Sequence, residues 1–167
     1  MSSRTPENIA VLMGGPGAER EVSLSSGHEC ASALQQAGYN VVKIDAGPNL
    51  VSDLRMAAPS VVFNALHGRW GEDGCVQGVL EWMGLPYTHS GILSSSLAMD
   101  KEKTKEVYRR SGLPVAESVL VSRDCFKSGH PIVPPYVVKP NNEGSSVGVY
   151  LVETETSKPP ILSPDMP

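Results

Sequence analysis

Ile9-Ala10-Val11-Leu12-Met13 is an unbroken apolar run closed by Gly14-Gly15, the pattern of a strand buried on both faces of a parallel sheet. From Val22 to Ala37 the period lengthens: Leu24, Gly27, Ala31 and Leu34 recur at helical spacing, and Gly38 is placed to stop the helix. A second strand is predicted over Val41–Asp45, a third over Ser60–Asn64, and a helix over Val76–Met83. Strands alternating with helices in this way predict a right-handed βαβ sheet, an α/β domain of the doubly wound, Rossmann-like kind. The ligand edge of such a sheet is the carboxyl end of its strands. Two polar, glycine-rich loops fall there, "GGPGAER" and "HGRWGEDG", so their side chains are expected to converge.

After Tyr87 the texture changes. "HSGILSSS" reads as a Gly/Ser-rich link, and a charged helix follows from Met99 to about Arg110, closed by Gly112 and Pro114. We place a domain boundary near Ser90, giving domains 1–89 and 90–167. Leu97, Lys101, Thr104 and Tyr108 share one stripe of that helix, so Lys101 either snorkels or reaches a ligand. Glu117–Val121 reads as a strand and "RDCFKSGHPIVPP" as a loop. Tyr136–Lys139 and Val147–Val152 read as two strands joined by "PNNEGSS", and the last residues as a loop or a cut end.

The bulk numbers narrow the classes. With 40% hydrophobic residues in 167, the chain can bury a globular core, in one domain or two small ones. The 14 Lys and Arg against 18 Asp and Glu leave a net charge of -4, which offers no long-range attraction for nucleic acid or anionic lipid. The apolar run near the N-terminus is too short for a signal-peptide core or a membrane span, so a cytoplasmic protein is expected. Cys30, Cys75 and Cys125 are odd in number and widely spaced, which points to small buried or half-buried thiols rather than a disulfide framework or a zinc site.

Candidate chemistry sits in three loops. In "NNEGSSVG", Gly144 and Gly148 let the backbone approach an anion closely, Ser145 and Ser146 add hydroxyl donors, and Lys139 adds a point charge. An ordinary long hairpin loop is the plain alternative. In "GGPGAER", Gly15 and Gly17 fit the first two glycines of the dinucleotide fingerprint and Asp45 ends the next strand where a ribose-binding acid sits. Arg20 takes the third glycine position, however, and Glu19 would set a carboxylate beside a pyrophosphate. A carboxylate at that edge suits the ammonium group of an amino acid better, unless Glu19 simply favours the helix dipole. His67, at the carboxyl end of a strand, is a site candidate, whereas His28, His89 and His130 read as surface or structural. Trp82 is assigned to helix core, and Trp70 either covers the site or packs.

Taken together, "GGPGAEREVSLSSG", "ALHGRWGEDGCVQGVLEWMGLPYTHSG", "MDKEKTK" and "YVVKPNNEGSSVGVYLV" closely resemble the D-alanine–D-alanine ligases of the ATP-grasp group, in order from about Ile9 to Val152. The resemblance implies a pre-ATP-grasp parallel-sheet domain followed by an incomplete α+β ATP-grasp central domain. It implies a reaction in which ATP phosphorylates one D-alanine and the amine of a second attacks the acyl phosphate, giving D-alanyl-D-alanine for peptidoglycan. By the same resemblance Glu19 holds the ammonium of the first D-alanine, His67 positions that substrate, and Ser145 links Glu19 to a lid loop. Lys101 and Lys139 contact ATP phosphates, and Gly144, Ser145, Ser146 and Gly148 fold over them. The family's adenine pocket and Mg²⁺ ligands are expected in a segment this chain lacks, so no residue here is assigned to metal and the chain is expected to be inactive alone. A homodimer is also implied. A non-catalytic binding or assembly fragment keeping the first domain is the second reading. A nicotinamide-dependent oxidoreductase is disfavoured by Glu19 and Arg20.

Overall fold

The computed structural model describes residues 8–144, 148–157 and 160–161. The chain divides into two compact units, one up to Ala98 and one from Met99. In the first, β1 (Asn8–Met13) pairs in parallel with β2 (Asn40–Asp45) on one side and β3 (Val61–Asn64) on the other, giving the order β2-β1-β3. The predicted α/β parallel sheet is therefore present. An isolated parallel bridge from Val62 to Tyr87 extends it beyond β3.

The apolar run of β1 serves two cores because alternate side chains leave opposite faces of a strand. Ala10 and Leu12 join Ile44, Leu54, Val62, Val76 and Leu80 on one face, where α2 (Leu50–Ala57) and α3 (Cys75–Trp82) pack. Ile9, Val11 and Met13 join Ala31 and Ala65 on the other, covered by α1 (Arg20–Gln36). Gly27 is what lets α1 lie so close: a Cβ there would overlap the Met13 side chain. The sequence pattern does not mark α2, whose one fully buried residue is Leu54.

Five expectations are corrected. "HSGILSSS" is not a link, because α4 (Ile92–Met99) forms there. Its serines have little helix preference, but Ser95 Oγ donates to Ser90 O and Ser96 Oγ to Asp73 O, so contacts within the first unit hold the segment. The next helix, α5 (Lys101–Arg110), is separate. Asp100 is extended and caps it by accepting the Lys103 N–H at 3.0 Å, so Leu97 does not continue the Lys101 stripe. Glu117–Val121 is not a strand. Its neighbourhood is held by α5 side chains instead, Lys105 Nζ donating to Ala116 O and Arg109 Nη2 to Ser118 Oγ. Trp82 is not core, being 93% exposed, and Cys75 is exposed where a buried or half-buried thiol was expected.

In the second unit β4 (Tyr136–Val138) and β5 (Tyr150–Val152) form an antiparallel pair, shorter than the strands predicted. Its buried apolar side chains among the described residues are Tyr136 and Val152. No helix of the described residues is long and apolar enough to cross a membrane.

Candidate functional site

Because β1 is central, the chain leaves it toward β2 and returns on its other side at β3. The carboxyl ends of β1 and β3 are thus the switch point where open α/β sheets bind ligands. Gly14 and Gly15, with φ of +72° and +78°, turn the backbone sharply off β1. Glu19 follows at the N-cap of α1 and is only 4% exposed. Its carboxylate lies directly against Gly68 of the loop after β3, where a Cβ would overlap Glu19 Oε1. A Cβ on Gly17 would meet Arg69 O at 3.3 Å. The two loops therefore meet backbone to backbone.

His67 enters from the β3 side. Ser26 Oγ donates to Val22 O at 2.7 Å, which commits its single proton, so His67 Nε2, 2.8 Å from the same oxygen, is the donor. The other ring nitrogen faces Glu72 Oε1 at 3.9 Å, and Glu72 Oε2 accepts the Gly68 N–H at 2.8 Å. Deeper in, Ser23 Oγ ties α1 to Ala65 O at 2.7 Å. Asn64 Nδ2 and Gln77 Nε2 both donate to Gly71 O. The Ser23 hydroxyl and the Asn64 and Gln77 amide nitrogens are bonded within the protein, which holds the loop presenting His67 in place. Ser26, Glu72, Asn64 and Gln77 carry no spacing signal that would have marked them.

Arg20 and Asp45 occupy the outer side of the same turn. Arg20 donates through Nη1 to Asp45 Oδ1 at 2.7 Å and to Gly15 O at 3.1 Å, and through Nη2 to Asp45 Oδ2. Asp45 Oδ1 also accepts the Gly15 N–H at 3.2 Å. The Arg20 hydrogen bonds hold the Asp45 carboxyl below the usual aspartate range, against a smaller opposing effect of burial. Asp45 is thus already paired at the position where a dinucleotide's ribose would need it. Trp70 stands in the neighbouring loop with φ of +75° and 44% exposure, the Arg69 guanidinium 4.8 Å from its ring centre. His28, His89 and His130 each bond a carbonyl, of Leu24, Asn64 and Glu155 respectively.

The second unit brings Lys101 to the glycine loop. Its Nζ donates to Asn141 O at 3.1 Å and to Glu143 O, while its backbone N–H reaches Asn141 O at 3.2 Å. Burial, and then the charge of nearby Lys139, pull the Lys101 ammonium below the usual lysine range. The negative charges of Glu143 and Asp100 act in the opposite direction. Gly144 opens the described end of the loop and Gly148, φ +68°, closes it. Ser145 and Ser146 lie outside the described residues.

Comparison with known proteins finds D-alanine--D-alanine ligases by sequence and by structure. A family model described as the D-ala D-ala ligase N-terminus matches residues 48–90. A D-alanine--D-alanine ligase of Ruegeria pomeroyi is 64% identical over 167 residues, spanning 100% of this chain and 55% of the relative. One from Ruegeria sp. strain TM1040 is 62% identical and is spanned to 54%. A crystal structure of the Bacillus anthracis ligase aligns with a TM-score of 0.68 at 38% identity, over 87% of this chain and 49% of that one. A second structure of that ligase, complexed with ATP, aligns with a TM-score of 0.68 at 36% identity, over 90% of this chain and 49% of that one. The chain spans about half the length of the curated relatives it matches. On fold and sequence together, the chain matches the N-terminal portion of the D-alanine–D-alanine ligases.

Proposed function

We propose that this chain supplies the amino-acid ammonium site and part of the phosphate site of an ATP-dependent ligase that joins two D-alanines for peptidoglycan synthesis. The observation that carries the reading is Glu19, a buried carboxylate set against Gly68 at the switch point, with His67 in the same loop. A carboxylate there attracts the ammonium of an amino acid and repels a pyrophosphate, and its burial strengthens both effects. The first unit is then the substrate-binding domain, and the second is the opening part of an ATP-grasp domain. Lys101 and Lys139 would hold phosphate oxygens, which suits phosphoryl transfer, where charge spread over those oxygens must be met by cations and donors. For Lys101 this means exchanging its bonds to the Asn141 and Glu143 carbonyls for bonds to ATP, so the loop and the nucleotide compete for one ammonium. The ATP complex of the Bacillus anthracis relative supports ATP as the nucleotide. Ser145, Ser146, Gly144 and Gly148 are assigned to the loop that covers it. Mg²⁺, when bound, would neutralise phosphate charge, and we assign its ligands to the remaining length of the family's members. A cytoplasmic location and a homodimer complete the proposal.

The test is a titration of the purified chain with D-alanine and L-alanine, followed by backbone amide NMR, alongside ADP release with Mg²⁺ and ATP. We expect D-alanine to shift the Gly15, Gly17 and Gly68 amides at lower concentration than L-alanine, without ADP release. Equal responses to the two enantiomers, or none, would overturn the reading. D-alanine-dependent ADP release would show that the chain also completes the reaction by itself.

A further inference from the structure

We propose that Arg20 and Asp45 are positioning residues for the ammonium site, holding the Gly14–Gly17 turn so that Glu19 is already aimed before substrate arrives. The inference rests on the reading of Glu19 given above. Glu19 and Arg20 are consecutive, but their side chains part: Glu19 goes inward to Gly68 and Arg20 outward to Asp45. The Arg20 fork grips Asp45 through both carboxylate oxygens and bonds Gly15 O, while Asp45 accepts the Gly15 N–H. One ion pair thus holds both polar groups of the Gly15 backbone. It also joins three elements, the turn after β1, the end of β2 and the first residue of α1. The fit is close, since a Cβ on Gly14 would overlap Asp45 Oδ1 and stand 2.8 Å from Arg20 Nη1.

A turn with Gly14, Gly15 and Gly17 is the least constrained backbone the chain could place here. Left alone, it would have to be ordered at the expense of binding free energy each time substrate entered. The pair removes that cost in advance. The side chains are 42% and 51% exposed, so as a plain surface ion pair they contribute little to global stability. Their geometry fits a local role better. A lysine cannot replace the arginine, because only the planar guanidinium meets two carboxylate oxygens and a carbonyl at once.

The experiment compares Asp45→Asn and Arg20→Lys with the unaltered chain and with Leu54→Val, a core variant remote from the loops. Thermal midpoint and D-alanine affinity by amide NMR titration are measured for all four. We expect both loop variants to lose roughly tenfold in D-alanine affinity with a small change in midpoint. Leu54→Val should lower the midpoint and leave affinity unchanged. Unaltered affinity in Asp45→Asn, or a loss that follows the midpoint across all variants, would overturn the positioning role while leaving the ammonium site intact. Failure of the unaltered chain to bind D-alanine would overturn both.

Discussion

At Gly68 the backbone is left-handed, φ +63°, and a Cβ would run into the Glu19 carboxylate. Both facts bar a side chain, and they act on different quantities. The dihedral costs an alanine about 1 kcal/mol of stability, whereas the overlap displaces the group proposed to hold the substrate's ammonium. Gly68→Ala should therefore lose most of its D-alanine-induced amide shifts while keeping a cooperative thermal transition. If D-alanine binding survived in that variant, Glu19 would not be the ammonium partner. At this scale the sequence was informative where residue type alone limits the chemistry: Glu19 and His67 stand out as functional groups in glycine-rich loops. It was silent about Ser26 and Glu72, which orient His67 and the Gly68 N–H, because a hydroxyl in the middle of a helix and a carboxylate in a polar loop resemble many surface residues.

Among the elements, β1, β2, β3 and α1 follow from pattern, since a doubly buried strand and a helix stripe leave few alternatives. The elements that differ from expectation are those held by contacts from elsewhere in the chain. α4 forms from a serine-rich segment because Asp73 and Ser90 carbonyls receive its hydroxyls. Glu117–Val121 has the β-branched texture of a strand, but among the described residues no strand pairs with it. α5 begins afresh at Lys101, with only Asp100 between it and α4, because Asp100 is extended and caps it. That cap makes a pH prediction. The Lys103 N–H, and then the Asn141 amide, hold the Asp100 carboxyl below its ordinary value near 3.8. A folded value below the unfolded one means the contribution is complete above the ordinary aspartate range and fades as pH falls through the folded value. Asp100→Asn keeps an accepting oxygen and removes the titration, so its thermal midpoint should fall less steeply than the unaltered chain's between about pH 5 and pH 2. Asp100→Ala should cost about 1 kcal/mol at neutral pH through loss of the cap. Identical acid limbs for the unaltered chain and Asp100→Asn would remove Asp100 from the account.

At the scale of the whole molecule, an apolar surface of the described residues lies outside the site. Between α2 and α3 runs an open groove of about 540 Å³ lined by Val51, Arg55, Cys75, Gly78, Val79, Trp82 and Met83. Trp82, 93% exposed, stands at its edge. Exposed aromatic area of this kind is disfavoured on a monomer and typical of interfaces, which supports the proposed homodimer. Trp82→Lys should shift sedimentation at micromolar concentration toward the monomer with little change in thermal midpoint. A dimer that persisted in this variant would have its contact elsewhere.

The sequence by itself determined β1, β2, β3, α1 and α3 of the first unit, the loops that close the switch point, and the residue types there able to meet an ammonium group. Hydrophobic period and glycine placement are local properties that a chain carries in any fold. Tertiary structure alone decided that Arg20 pairs with Asp45 across 25 residues, that Gly27 and Gly68 are glycine because Met13 and Glu19 fill the space beside them, and that Trp82 faces outward. Each of these depends on which surfaces meet, and a one-dimensional pattern does not record distance between residues far apart along the chain.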